Sequence, residues 1–170
     1  MSGGGFENLK ALIVEDNAQM RALLRALLNS AGFKEIAEAA HGHAALDQLC
    51  ARKSDLVLSD LAMKPMDGLE FTRHVRNHTQ SPNPFVPIIM ITGHSEKHRV
   101  EAARDAGVTE FLAKPITAQH LFSRIAEIVE HPRAFVRCDS YFGPNRRRRQ
   151  VENYAGPWRR QEDFQDMTIR

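Results

Sequence analysis

Short runs of apolar residues alternate along the chain with longer segments in which apolar positions recur every three or four residues. Ala11-Leu12-Ile13-Val14 has no polar break, the mark of a strand covered on both faces. Met20, Leu23, Leu24, Leu27 and Leu28 come next at one-face helical spacing, and Gly32 stands where that helix would stop. The pattern then repeats. Residues 36–39 predict a second, weaker strand and residues 44–51 a helix. Leu56-Val57-Leu58 predicts the third strand, backed by a helix carrying Leu69, Thr72 and Val75. Residues 86–91 predict the fourth, with Val100, Ala103 and Ala106 behind it on a helix ending at Gly107. Phe111-Leu112-Ala113 closes the set, before a last amphipathic helix with Leu121, Phe122, Ile125 and Ile128. Five strand–helix units in series predict an α/β fold, a doubly wound five-stranded parallel sheet.

The flanks differ from this body. Residues 1–7 contain three consecutive glycines and predict a flexible leader. His131-Pro132 ends the domain, which spans residues 8–130, and leaves 131–170 as a C-terminal extension. Charge separates the two parts: residues 1–130 carry 14 Lys+Arg against 16 Asp+Glu, whereas 131–170 carry 9 Arg against 5 Asp+Glu. Two cysteines exclude a disulfide framework; Cys50 is expected in the core and Cys138 as an ordinary thiol in the extension. Neither a signal-peptide pattern nor an apolar run of membrane-spanning length occurs, so a cytoplasmic protein without a membrane partner is expected.

The extension holds a short repeat. Tyr141-Phe142-Gly143-Pro144-Asn145-Arg146-Arg147 recurs as Tyr154-Ala155-Gly156-Pro157-Trp158-Arg159-Arg160. Arginines interleaved with aromatics suit a protein interface, either a downstream partner or a second copy in a homodimer. Arg146, Arg147, Arg148, Arg149, Trp158, Arg159 and Arg160 are the contacts this reading selects. Nucleic acid is the alternative, with arginines on phosphates and aromatics on bases, and a solvated tail the third reading. The extension is too short for a DNA-binding output domain.

The chemistry lies in the residues just past each strand. In open α/β sheets, ligands sit beyond the carboxyl ends of the strands. The first strand runs into Glu15-Asp16, the third into Asp60, the fourth into Thr92 and the fifth into Lys114. Three carboxylates gathered in one pocket repel unless a cation intervenes, and a hard ion with oxygen ligands, Mg²⁺, resolves this. Lys114 and Thr92 then supply a positive charge and a hydroxyl for an anion. Asp60 is the expected nucleophile, because a carboxylate forms an acyl phosphate when neighbouring cations neutralise the incoming charge.

These residues carry a resemblance. Glu15-Asp16, the stretch Leu58-Ser59-Asp60-Leu61-Ala62-Met63-Lys64-Pro65-Met66-Asp67-Gly68, Ile91-Thr92-Gly93 and Phe111-Leu112-Ala113-Lys114-Pro115 resemble the receiver domain of two-component response regulators, over residues 8–130. The resemblance implies a flavodoxin-like fold and phosphotransfer from a histidine kinase or a histidine phosphotransfer protein to an aspartate. It implies Asp60 as phosphoacceptor, and Mg²⁺ held by Glu15, Asp16, Asp60 and the Ala62 carbonyl. Lys114 would contact the phosphoryl group, and Thr92 with Phe111 would form a switch pair that changes partner binding. The protein would then be a phosphoacceptor rather than an enzyme acting on a separate substrate. The Lys114-Pro115 bond is expected to be cis.

Lys64 stands where the family usually has proline, with Pro65 next, and Phe111 stands where tyrosine is also common. The connection from Asn77 to Val86 looks slightly long. His41 with His43, and His94 with His98, have ligand-like spacing but lack matching cysteine or acidic neighbours. No glycine-rich nucleotide loop succeeds any strand, and Gly68 and Gly107 read as turn residues. An aspartate-dependent phosphatase of the haloacid dehalogenase type needs an acid two residues after its nucleophile. Asp60 precedes Leu61-Ala62 and Asp16 precedes Asn17-Ala18, so that class is excluded.

Overall fold

In the computed structural model, residues 6–93 and 97–146 are described. Five parallel strands, β1 (Lys10–Val14), β2 (Glu35–Ala39), β3 (Leu56–Asp60), β4 (Ile88–Thr92) and β5 (Glu110–Ala113), form one sheet in the order β2-β1-β3-β4-β5. The helices α1 (Ala18–Ser30), α2 (Gly42–Ala51), α3 (Gly68–Asn77), α4 (Lys97–Ala106) and α5 (Ala118–Glu130) alternate with them. The doubly wound five-stranded parallel sheet expected from the periodicity is the fold observed.

Every residue of β3 and β4 is buried, which is why their sequences show continuous rather than alternating apolar character. Alternate strand residues feed separate cores. Ala11, Ile13, Leu58 and Ile91 meet Leu24, Leu28, Leu121 and Ile125 of α1 and α5 on one face. Leu12, Val14, Val57 and Ile88 meet Ala45, Leu49, Phe71 and Val75 of α2 and α3 on the other. A third cluster joins Leu61, Leu69 and Met90 to Ala103 and Ala106 of α4.

Local chemistry sets the ends of these helices. The side chains of Asn17, His41, Asp67 and Thr117 each accept a backbone N–H from the first turn of α1, α2, α3 and α5. The chain leaves α1 through Gly32 at φ +102° and α4 through Gly107 at φ +97°, conformations that favour a residue without Cβ. Cys50, expected in the core, is instead exposed. The buried face of α2 is set by Ala45 and Leu49, and Cys50 falls about 100° further round the helix.

The chain does not separate from the domain at His131. Residues beyond it fold back as an antiparallel hairpin, β6 (Phe135–Cys138) and β7 (Tyr141–Pro144), packed against the body. Phe142 is buried and sits edge-on to Phe85, with ring centroids 5.3 Å apart. Phe135 packs on both rings, at 5.2 Å from Phe85 and 5.7 Å from Phe142. The compact unit thus runs past the boundary expected at residue 130. Cys138 lies half-buried on β6.

Candidate functional site

The strand order reverses direction between β1 and β3, and that is where the carboxylates converge. Glu15 and Asp16 come directly after β1, and Asp60 is the last residue of β3. One carboxylate oxygen from each lies within 4.8 Å of the others, the one such group of three metal-ligating residues among the described residues. Glu15 and Asp60 are buried and Asp16 is exposed, so the cluster opens to solvent on one side.

Backbone bonds fix this geometry. The Glu15 N–H donates to the Ala39 carbonyl at 3.1 Å, extending the β1–β2 ladder by one residue. Arg21, on the first turn of α1, donates to the Glu15 carbonyl at 2.8 Å and the Asp16 carbonyl at 3.3 Å. The same guanidinium pairs with Glu38 on β2 at 3.3 Å. Sequence reasoning does not select Arg21; its signal, a cation one helical turn beyond an acidic pair, is too common to single out.

The two oxygens of Asp60 are held separately. Oδ1 lies 2.8 Å from the Lys114 ammonium, and Oδ2 accepts the Ala62 N–H at 3.1 Å. Lys114 also stands 3.9 Å from Glu15 Oε2. It is aimed by the end of β5, where its N–H donates to the Thr92 carbonyl at 2.8 Å. The expected cis Lys114-Pro115 bond is present, and Lys64-Pro65 is cis as well. Lys64 itself is exposed.

Glu15 shows the electrostatic tension of the pocket. Its Oε1 accepts the Asn17 N–H at 3.1 Å, but the buried Oε2 has no hydrogen-bond donor. Burial first, and the neighbouring Asp60 charge next, push its carboxyl up to about 7. A buried carboxylate oxygen lacking a donor, beside two further carboxylates, fits a hard divalent cation with oxygen ligands.

Thr92 is buried at the end of β4, beside the β3 strand that carries Asp60. Phe111 on β5 pairs in register with Met90 on β4 and is partly buried against the cluster that contains Ala103 and Ala106 of α4. Asp67 caps α3 and also takes the Arg99 guanidinium at 2.6 Å, tying α4 to the loop after Asp60. Gly68, expected as a turn residue, opens α3 under close constraint: a Cβ there would stand 2.3 Å from the Asp60 carbonyl oxygen.

The structure brings together Glu15, Asp16, Asp60, Ala62, Thr92 and Lys114, with Phe111 on the adjoining face. It does not bring Arg146 to them. Arg146 lies by the hairpin, 2.9 Å from Asp105 and with its guanidinium 4.3 Å from the centre of the Tyr141 ring. Arg147, Arg148, Arg149, Trp158, Arg159 and Arg160, the second copy of the repeat, and His94 lie outside the described residues. His41 serves as the α2 cap. Among the described residues, no helix is long and apolar enough to cross a membrane.

Comparison with known proteins agrees with this arrangement. Residues 11–126 match the response regulator receiver domain family. The chemotaxis protein CheY of Pseudomonas aeruginosa is 34% identical over 122 residues, covering 72% of this chain and 97% of that protein. The structure of chemotaxis response regulator CheY4 of Vibrio cholerae superposes with a TM-score of 0.64 at 31% identity, over 71% of this chain and 98% of that one. The receiver domain of a sensor histidine kinase from Pseudomonas aeruginosa gives a TM-score of 0.62 at 30% identity, over 70% of this chain and 94% of that one. That structure has a magnesium ion coordinated in its active site cleft. With family match, strand order and pocket in agreement, the chain belongs to the response regulator receiver domains of two-component systems.

Proposed function

We propose that the chain accepts a phosphoryl group on Asp60 from the phosphohistidine of a histidine kinase or a histidine phosphotransfer protein, and that this changes its binding to a downstream protein. The observation that carries this reading is the placement of Asp60, with one oxygen 2.8 Å from Lys114 and the carboxylates of Glu15 and Asp16 converging beside it. In the transfer, an Asp60 oxygen bonds to phosphorus while the donor's phosphorus–nitrogen bond breaks, and the imidazole keeps the electron pair. Lys114 neutralises charge on the phosphoryl oxygens at a position already fixed by the end of β5.

Glu15, Asp16, Asp60 and the Ala62 carbonyl would hold Mg²⁺, which supplies a fixed double positive charge for the carboxylates and phosphoryl oxygens. Arg21 keeps the Glu15–Asp16 backbone in place, and Asn17 orients one Glu15 oxygen so that the other faces the pocket. The protein is thus a phosphoacceptor whose own pocket promotes transfer and hydrolysis, rather than an enzyme acting on a separate substrate.

A phosphoryl group on Asp60 brings new charge and strong acceptor oxygens to the end of β3. The Thr92 hydroxyl gains a charge-assisted hydrogen bond by turning toward it. Space beneath β4 opens, and Phe111 turns inward from its partly buried position against α4. The outcome is a population shift between two packings of β4, β5 and α4, bounded by the difference in bonding between them.

The test is intact mass after incubation with Mg²⁺ and a small-molecule phosphodonor. Wild type gains one phosphoryl group and Asp60→Asn gains none. Absence of any gain in folded wild type, also with a phosphorylated histidine phosphotransfer protein as donor, removes the reading.

A further inference from the structure

The hairpin docks at the end of the molecule opposite the acidic pocket, where β4 and β5 begin. Arg133 donates to the Thr109 carbonyl before β5 at 2.9 Å, Phe135 and Phe142 pack on Phe85, and the remaining attachments fall on the ends of α3 and α4. Arg76, near the end of α3, is almost wholly buried and donates to the Gly107 carbonyl at 3.0 Å and the Pro84 carbonyl at 2.7 Å. Its guanidinium lies 5.1 Å from the centre of the Phe135 ring. Asp105, one residue before the end of α4, holds Arg146. Gly107 and Gly143 meet backbone to backbone: a Cβ on Gly143 would stand 2.8 Å from the Gly107 Cα.

Both helices also begin or pack at the pocket. α3 starts at Gly68, pressed on the Asp60 carbonyl, and Thr72 ties the first turn by donating to the Gly68 carbonyl at 2.7 Å. α4 rests on Phe111 through the cluster containing Ala103 and Ala106, and is tied to Asp67 through Arg99. The hairpin therefore grips the far ends of two helices, one starting against the Asp60 carbonyl and the other tied to Asp67 through Arg99. A contact between two glycine backbones has no side chain to adjust, so displacement of α4 separates the surfaces instead of being absorbed.

We propose that residues 133–146 form an intramolecular latch over the ends of α3 and α4, docked while Asp60 is unmodified and loosened when Asp60 carries a phosphoryl group. The latch rests on the reading of Asp60 as phosphoacceptor. Inward rotation of Phe111 withdraws the support of α4, shifts Asp105 and Gly107, and breaks their fit to Arg146 and Gly143. Loosening uncovers the buried Phe142 ring and frees the Arg146 guanidinium from Asp105, which gives the phosphorylated state an aromatic and basic surface for an acidic protein partner.

Hydrogen–deuterium exchange of the full chain, with and without phosphodonor and Mg²⁺, tests this when intact mass is read on the same samples. The expected result is exchange about fivefold faster or more in β6 and β7 of the phosphorylated protein, the lower end of ordinary coupling between sites. Exchange in β1 and β3 stays unchanged, and Asp60→Asn shows no response to the donor. Full phosphoryl gain with unchanged hairpin exchange overturns the latch and leaves the phosphoacceptor reading intact. The same acceleration in Asp60→Asn also overturns it. Failure of the folded wild type to gain mass, also with a phosphorylated histidine phosphotransfer protein as donor, removes the phosphoacceptor reading and the latch with it.

Discussion

Gly68 lies so close to Asp60 that a Cβ on it would stand 2.3 Å from the Asp60 carbonyl oxygen and 3.1 Å from the Leu61 Cα. The obstacle is backbone on both counts, so no side-chain rotation relieves it. This close approach brings the start of α3 against the end of β3, where the Gly68 N–H donates to the Leu61 carbonyl at 3.0 Å.

Gly68→Ala must push the loop between β3 and α3 apart and carry Asp60 with it. Overpacking of this kind costs about 1–3 kcal/mol. Urea unfolding is expected to show a loss of that size, and intact mass a slower gain of phosphoryl group. A variant with unchanged stability would mean that α3 and β3 can separate without strain.

Lys114→Met keeps the length and apolar stem of the side chain while removing the charge beside Asp60. A fixed donor facing developing negative charge is commonly worth about 10²–10³ in rate. Phosphoryl gain by the variant is expected to slow on that scale, measured by a time course of intact mass. The circular-dichroism spectrum should match wild type, because the Lys114 side chain is one-third exposed.

The raised Glu15 carboxyl gives the metal-free protein a defined pH dependence. Its value rises from an ordinary 4.5 to about 7 in the folded state, so folding favours the protonated form. The stability this contributes is complete below pH 4.5 and is lost as pH rises through 7. In a chelating buffer, the urea midpoint should fall between about pH 5 and pH 8 more steeply for wild type than for Glu15→Gln. Adding Mg²⁺ at about pH 8 should restore the wild-type midpoint and leave Glu15→Gln nearly unchanged.

Arg76 is the largest fully buried side chain among the described residues. Burial lowers its guanidinium to about 9, which still leaves a cation at neutral pH. Arg76→Met retains most of the volume but strands the Gly107 and Pro84 carbonyls, at about 1–3 kcal/mol for each buried group left unpaired. Thermal unfolding should register this loss, and hydrogen exchange should place the first effect in β6 and β7.

The strand ends are the most legible part of the sequence, because the apolar runs of β1, β4 and β5 stop at a residue that enters the pocket, and Ser59 alone separates the β3 run from Asp60. Glu15, Asp16, Asp60 and Lys114 can be found in this way without any knowledge of contacts. Cys50 departs from expectation because composition favours burial of cysteine, whereas the phase of α2 is set by Ala45 and Leu49. The hairpin is hidden for a different reason. Its apolar content is small, and its burial depends on a platform contributed by Arg76, Phe85 and Gly107, far away in sequence. The length of the connection before β4 is visible, but not that Phe85 within it receives the hairpin. An arginine also reads as solvent-facing in any sequence pattern; only the two carbonyls aimed at it reveal that Arg76 is buried.

The central claim is that Asp60 becomes an acyl phosphate, and reductive trapping addresses it at the level of the bond. Borohydride reduces an aspartyl phosphate to homoserine, and tandem mass spectrometry of the digested protein then assigns the position. After treatment with phosphodonor and Mg²⁺, homoserine is expected at residue 60 and at no other aspartate, and its yield should collapse when the divalent cation is chelated. Homoserine at Asp16 or elsewhere, or none at residue 60 in protein that has gained phosphoryl mass, would contradict the account.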